Sequence, residues 1–120
     1  MDRINVERMI VVCLWAEDVT ATAHFYMDVF GLELHHAAHH PRVHFKVGDT
    51  YLTILKGKPQ AAQDMEPARF PLFAFKVDDL DAAVEQFQSH KVEMPWGIEG
   101  KGENRWVMFH DPAGNLIEIT

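Results

Sequence analysis

The sequence predicts an α+β domain in which one βαβββ plan is used twice. Three observations carry that prediction. First, Leu14-Trp15-Ala16-Glu17-Asp18-Val19-Thr20 and Phe75-Lys76-Val77-Asp78-Asp79-Leu80-Asp81 share one pattern: an apolar run enters an acidic pair and then a helical spacing. Second, Asp18 falls on Asp79, 61 residues on in a chain of 120, so each copy fills about half of it. Third, Tyr51–Leu55 and Leu116–Thr120 are each a short alternating segment closing its half.

The elements follow in order. Residues 9–16 are β-rich, and Ile10, Val11, Val12 and Trp15 suit a strand buried on both faces. Asp18 or Thr20 can cap the next helix by accepting a bond from its free N–H groups. Along that helix Val19, Ala23, Tyr26 and Phe30 recur at helical spacing, and Gly31 supplies a left-handed stop. Strands are predicted over Leu32–His36, Arg42–Val47 and Thr50–Leu55, with turns at His39-His40-Pro41 and Gly48-Asp49. Residues 56–69 hold two prolines and little apolar periodicity, which reads as a linker between module one (about 8–55) and module two (about 70–120). Module two opens with a strand over Phe70–Val77. A helix capped by Asp78 or Asp79 follows, with Leu80, Ala83, Val84 and Phe87 inward. Strands near 91–98, 104–110 and 115–119 complete it. Asp111-Pro112-Ala113-Gly114 makes the last turn: Asp accepts local backbone bonds, Pro fixes φ, and Gly takes the positive φ.

Composition narrows the function classes. Acidic residues number 18 against 11 Lys and Arg, for a net charge of −7, so the basic face that phosphate binding needs is missing and nucleic acid is not expected. The same balance disfavours an anionic membrane surface and mildly favours cationic ligands. The longest apolar run, Met9 to Ala16, is too short to span a bilayer, so no membrane partner is expected. The N-terminal residues lack the charged-then-apolar order of a signal peptide, which predicts a cytoplasmic protein. The single cysteine, Cys13, excludes an internal disulfide, and with no basic group evident beside it the thiol reads as inert.

Phe25-Tyr26 followed by Phe30-Gly31-Leu32-Glu33, then Phe75 to Asp81, then Asp111-Pro112-Ala113-Gly114-Asn115-Leu116-Ile117-Glu118, come in an order and spacing that resemble the vicinal oxygen chelate superfamily of glyoxalases, bleomycin-resistance proteins and dioxygenases. The resemblance runs from about residue 8 to 120. It implies two βαβββ modules forming curved mixed sheets around a cavity, and a homodimer. It also implies a divalent metal, held by one ligand from the first and one from the last strand of each module, that chelates an oxygen pair of the substrate. On this chain those positions fall at Val11, Thr53, Leu72 and Glu118. Only Glu118 is a good donor, and a register slip at the first strand brings in Ile10 or Val12, and at the third position Pro71 or Phe73. No metal and no other cofactor is therefore expected. If a divalent metal binds, Glu118 with His44 or His110 would hold it.

Histidines crowd residues 35–44, but adjacent His35 and His36 face opposite ways on a strand, and His39-His40-Pro41 reads as an exposed tip. His44 is the one placed to reach a cavity, and His110 could sit at its rim. His24 and His90 read as helix-surface residues. Aromatic residues are the stronger candidates. Trp15 shares a strand face with Val11 and Cys13, and Trp106, Met108 and His110 alternate along one strand. Phe45, Tyr51 and Trp96 can add to the wall. Aromatic side chains, Met and one or two polar groups such as Glu118 suit a pocket for a small organic molecule. The leading expectation is metal-independent sequestration or carriage of an aromatic compound, cationic ones being favoured. A lyase, isomerase, thiol transferase or dioxygenase with a rearranged metal site, and a regulatory module without ligand, are the alternatives.

Overall fold

The computed structural model describes residues 3–35, 43–59 and 69–120. The expected hairpin tip with His36, His39 and His40, and the linker residues 60–68, lie outside the described residues. The element order is β1 (Val11–Ala16), α1 (Val19–Asp28), β2 (Val43–Val47), β3 (Thr50–Lys56), β4 (Ala74–Phe75), α2 (Leu80–Ser89), β5 (Ile98–Lys101), β6 (Asn104–His110) and β7 (Leu116–Ile119). They make a three-stranded sheet ordered β1-β3-β2 and a four-stranded sheet ordered β4-β7-β6-β5. In each, the opening strand runs parallel to the closing one, β1 with β3 and β4 with β7. The closing strand then pairs antiparallel with its predecessor. The repeat in the sequence is therefore a repeat of topology, and the fold is α+β.

Local chemistry sets the element ends. Asp18 and Asp79 are the N-caps; their carboxylates accept from the amides of Ala21 and Ala82, each at 3.0 Å. Gly31 takes φ +65 just past α1, and the Leu32 N–H donates back to the Tyr26 carbonyl at 3.1 Å. Two expected strands are altered. The one over Leu32–His36 shrinks, among its described residues, to a single bridge of Leu34 with Phe45. The strand expected near 91–98 begins only at Ile98, because Lys91 turns at φ 58 and Gly97 at φ +61 before the chain can extend. The ladder of β4 is two residues long, although Leu72 and Val77 still donate to Leu116 and Thr120 on the β7 side.

The core lies between the sheets and the helices. Leu14, Ala16, Tyr26, Phe45, Leu52, Ile54, Phe87, Val107, Phe109, Ile117 and Ile119 are buried. Helix α1 spans both halves: Phe30 packs on Phe87 and Phe109 at ring-centroid distances of 5.6 and 5.5 Å, and Tyr26 on Phe45 and Phe75, each at 6.4 Å. Each such ring contributes about 2–3 kcal/mol by leaving water. The expectation that β1 is buried on both faces is corrected: Leu14 and Ala16 are buried, whereas Val11, Cys13 and Trp15 are exposed. Phe45 is corrected likewise. It is fully buried on the helix side, opposite Leu52, and so belongs to the core rather than to a cavity wall shared with His44.

A buried polar network ties the halves together. The Tyr26 hydroxyl donates to Asp111 Oδ2 at 2.8 Å, although the two residues are 85 positions apart. Asp111 Oδ1 accepts from the amides of Ala113 (3.0 Å) and Asn115 (2.9 Å), while Asn115 Nδ2 donates to Asp111 Oδ2 and to the Trp15 carbonyl, each at 3.0 Å. Burial, the Asp111 charge and their hydrogen bond together hold the Tyr26 hydroxyl well above the usual phenol range.

Candidate functional site

Strand pairing assigns the side chains that share the open faces, those turned away from the helices. On the first sheet, Cys13 lies opposite Thr53 and Thr53 opposite His44; Val11, Tyr51 and Lys46 form the neighbouring row, and Trp15 lies opposite Leu55. Thr53 is buried, and its Oγ1 lies 2.6 Å from His44 Nδ1. The His44 ring stacks on Tyr51 at 4.5 Å with planes 13° apart, and exposed His35 approaches the same Tyr51 at 5.2 Å. Trp15, 46% exposed, lies against Gly57. A Cβ there would come within 2.5 Å of the Trp15 ring, so only glycine leaves the indole its place.

On the second sheet, Ala74 lies opposite Glu118 and Glu118 opposite Met108; one step along β6, Trp106 lies opposite Glu99. Met108 is buried, and Trp106, Glu99 and Glu118 are half-buried. Burial first, and then the like charge of Glu99, push the Glu118 carboxyl above its ordinary value. Arg69 Nη2 donates to Glu99 Oε2 at 2.6 Å, and its guanidinium lies 4.1 Å from the centre of the Trp96 ring. Gly100, at φ +86, lets the chain pass Trp106, whose Cζ3 would be 2.7 Å from an added Cβ.

The expected site residues thus fall into two groups, with Phe45 and His110 outside both. Trp15, His44 and Tyr51 share the open face of the first sheet, and Trp106, Met108 and Glu118 that of the second. Trp96 joins the second group through Arg69. Phe45 is excluded by its burial. His110 lies at the end of β6, where its Nδ1 is 3.0 Å from Glu93 Oε1. Two partners were not singled out in the sequence: Glu99, which follows the expected strand end at 98, and Arg69, which closes the expected linker.

The four positions that the resemblance assigns to a metal do not fit one. Val11 and Leu72 have no lone pair to offer, the Thr53 hydroxyl is engaged by His44, and Glu118 remains as the sole carboxylate. Of the two rearranged partners, His44 stands on the other sheet and His110 is drawn to Glu93. Among the described residues no three His, Cys, Asp or Glu side chains are gathered to hold an ion. None of the described helices is long and apolar enough to cross a membrane.

Paired modules, each placing its first and last strands side by side below an open face, define the class of fold. The chain belongs to the Glyoxalase/Bleomycin resistance protein/Dioxygenase superfamily, whose model matches residues 8–119. The uncharacterized protein YaeR of Escherichia coli (strain K12) is 26% identical over 117 residues, covering 90% of this chain and 91% of that protein. The crystal structure of a lactoylglutathione lyase from Agrobacterium tumefaciens superposes with a TM-score of 0.70 at 25% identity, covering 95% of this chain and 92% of that one. That of TnmS3, an antibiotic binding protein from Streptomyces sp. CB03234, gives a TM-score of 0.74 at 22% identity and covers 98% of both chains.

Proposed function

We propose that the chain binds a small aromatic molecule carrying a cationic group, without a metal, and sequesters or carries it. The observation that carries this reading is the row of Met108, Trp106, Glu99 and Glu118 on one sheet face. An apolar and aromatic wall stands there beside Glu118; burial, and then the charge of the Arg69-paired Glu99, make its carboxyl harder to ionise. A cation arriving beside Glu118 relieves that repulsion, so binding and ionisation favour each other. The likeness in fold to an antibiotic binding protein is consistent with this reading.

The reading includes a homodimer. Val11, Trp15 and Leu72 are 43%, 46% and 44% exposed on the open faces, and a second copy would cover them and close a cavity. Light scattering coupled to gel filtration tests the dimer.

Titration of tryptophan fluorescence with ethidium, acriflavine and a set of neutral aromatics tests the ligand class. Saturable quenching by the cations is expected, weakened about ten-fold in Glu118→Gln, the scale of one partly desolvated charge contact. Absence of saturable quenching across the set, in protein shown to be folded, would overturn the proposal.

A further inference from the structure

A second cavity lies where the edges of the two sheets meet. A cleft of about 360 Å³ opens between the start of β1, the β2–β3 turn and β4; its lining includes Met9, Val12, Val47, Leu52, Phe73 and Phe75. Val12 and Val47 share a face with buried Leu14 and Phe45, and Phe75 lies opposite buried Ile119, so these side chains project toward the helices. His44, Thr53 and Glu118 occupy the other face. Tyr51, Ala74 and Lys76 also line the cleft, so it runs between the two sheet edges and reaches the open side as well, but it includes none of Trp106, Met108, Glu99 and Glu118 and does not rest on that reading.

Its position has a cause in the topology. β1 and β4 are edge strands, each paired on one side only, and the cleft lies where these two edges approach each other. The polar groups nearby are largely engaged: the Thr50 hydroxyl donates to the Met9 carbonyl at 2.9 Å. The lining holds one charged residue, Lys76, and no carboxylate. A wall of aliphatic and aromatic carbon with one cation and no opposing acid complements a short apolar chain ending in an anion. The volume is near the lower end of ligand cavities, which run from about 300 to 1,000 Å³, so the occupant is small.

We propose that this cleft binds a small apolar monocarboxylate, its chain between Phe73, Phe75 and Val12 and its carboxylate toward Lys76. The test is amide chemical-shift titration of the intact chain with octanoate, 1-octanol and octylammonium. Octanoate should shift the amides of Met9, Gly48, Leu52 and Ala74 saturably, and bind about five-fold more tightly than octanol, the scale of one exposed charge contact. Octylammonium should bind most weakly. Lys76 is exposed, so Lys76→Gln should keep the wild-type spectrum, abolish the preference for octanoate and leave octanol affinity unchanged. Three results would overturn the proposal: no saturable shifts with octanoate, shifts centred on Trp106 and Glu118 instead, or an undiminished preference in Lys76→Gln. Failure of the ethidium titration leaves this result untouched, because the cleft's lining shares no residue with the row of Met108, Trp106, Glu99 and Glu118.

Discussion

Breaking the bond between Tyr26 and Asp111 tests whether the two halves are held together by a polar tie as well as by the aromatic core. Tyr26→Phe removes one donor from a carboxylate that keeps the amides of Ala113 and Asn115 and the Asn115 side chain. The loss is one hydrogen bond to a charged acceptor, about 1.5–3 kcal/mol when buried, with the lower end expected because the other donors remain. Asp111→Ala is different in kind. It strands the Tyr26 hydroxyl and weakens the hold on Asn115, whose Nδ2 also donates to the Trp15 carbonyl. Leaving buried polar groups unpaired raises the expected cost to about 3–5 kcal/mol. For a chain of this size each kcal/mol shifts Tm by about 3–6 °C. Urea unfolding followed by tryptophan fluorescence and by circular dichroism measures both variants, and coincident transitions validate the comparison. If Tyr26→Phe unfolds within about 0.3 kcal/mol of the parent, or Asp111→Ala costs no more than Tyr26→Phe, the network is not a structural tie.

The same tyrosine sets an alkaline limit. Its folded-state value lies above that of the unfolded chain, so the unfolded state loses its proton first; stability should fall as pH rises above about 10, by up to about 1.4 kcal/mol per unit, and Tyr26→Phe should flatten that slope in alkaline unfolding titrations. Glu118 has the corresponding acid-range sign: with its folded value raised, the unfolded chain ionises first, so Glu118 detracts from stability once pH exceeds the ordinary carboxylate range. Glu118→Gln should therefore raise Tm at pH 7 and lose that advantage near pH 4, which differential scanning calorimetry at the two pH values would show. Gly57→Ala should displace the Trp15 indole, at a cost of about 1 kcal/mol and with an altered emission maximum in a variant retaining Trp15 alone. After dialysis against Mn, Fe, Ni or Zn, elemental analysis should find no stoichiometric metal; a metal that disappears in Glu118→Ala would restore the rearranged-centre reading.

Much of the fold was legible because it rests on periodicity and capping. Asp18 and Asp79 mark two helix starts, Gly31 marks one stop, and the 61-residue offset matches the topology of the two sheets. The first-sheet register was within reach too. A two-residue turn at Gly48-Asp49 sets Val47 opposite Thr50, and counting outward sets His44 opposite Thr53. What failed was less regular. The one-sided burial of β1 is not legible, because a continuous apolar run does not reveal whether both faces find partners within one chain. Phe45 cannot join a wall with His44, because His44 claims the open face and alternation permits only one of the two there. Glu99 escaped because the strand begins later than apolar content suggests: positive-φ turns at Lys91 and Gly97 delay it, and that delay brings Glu99 opposite Trp106.

The poverty of metal donors and the character of the open faces are connected physically. Where the resemblance places metal ligands at Val11 and Leu72, this chain has half-exposed aliphatic side chains; at Thr53 it has a hydroxyl committed to His44. A divalent ion would meet one carboxylate there and lose most of its hydration without compensation. Glu118 has a half-buried carboxyl opposite Met108, with Trp106 and Glu99 one step along β6. Such a group gains most from a diffuse organic cation, which has less hydration to lose than a metal ion and can also lie on the indole. Under the proposed function such a ligand would be held rather than transformed, on the fold that a lactoylglutathione lyase also adopts.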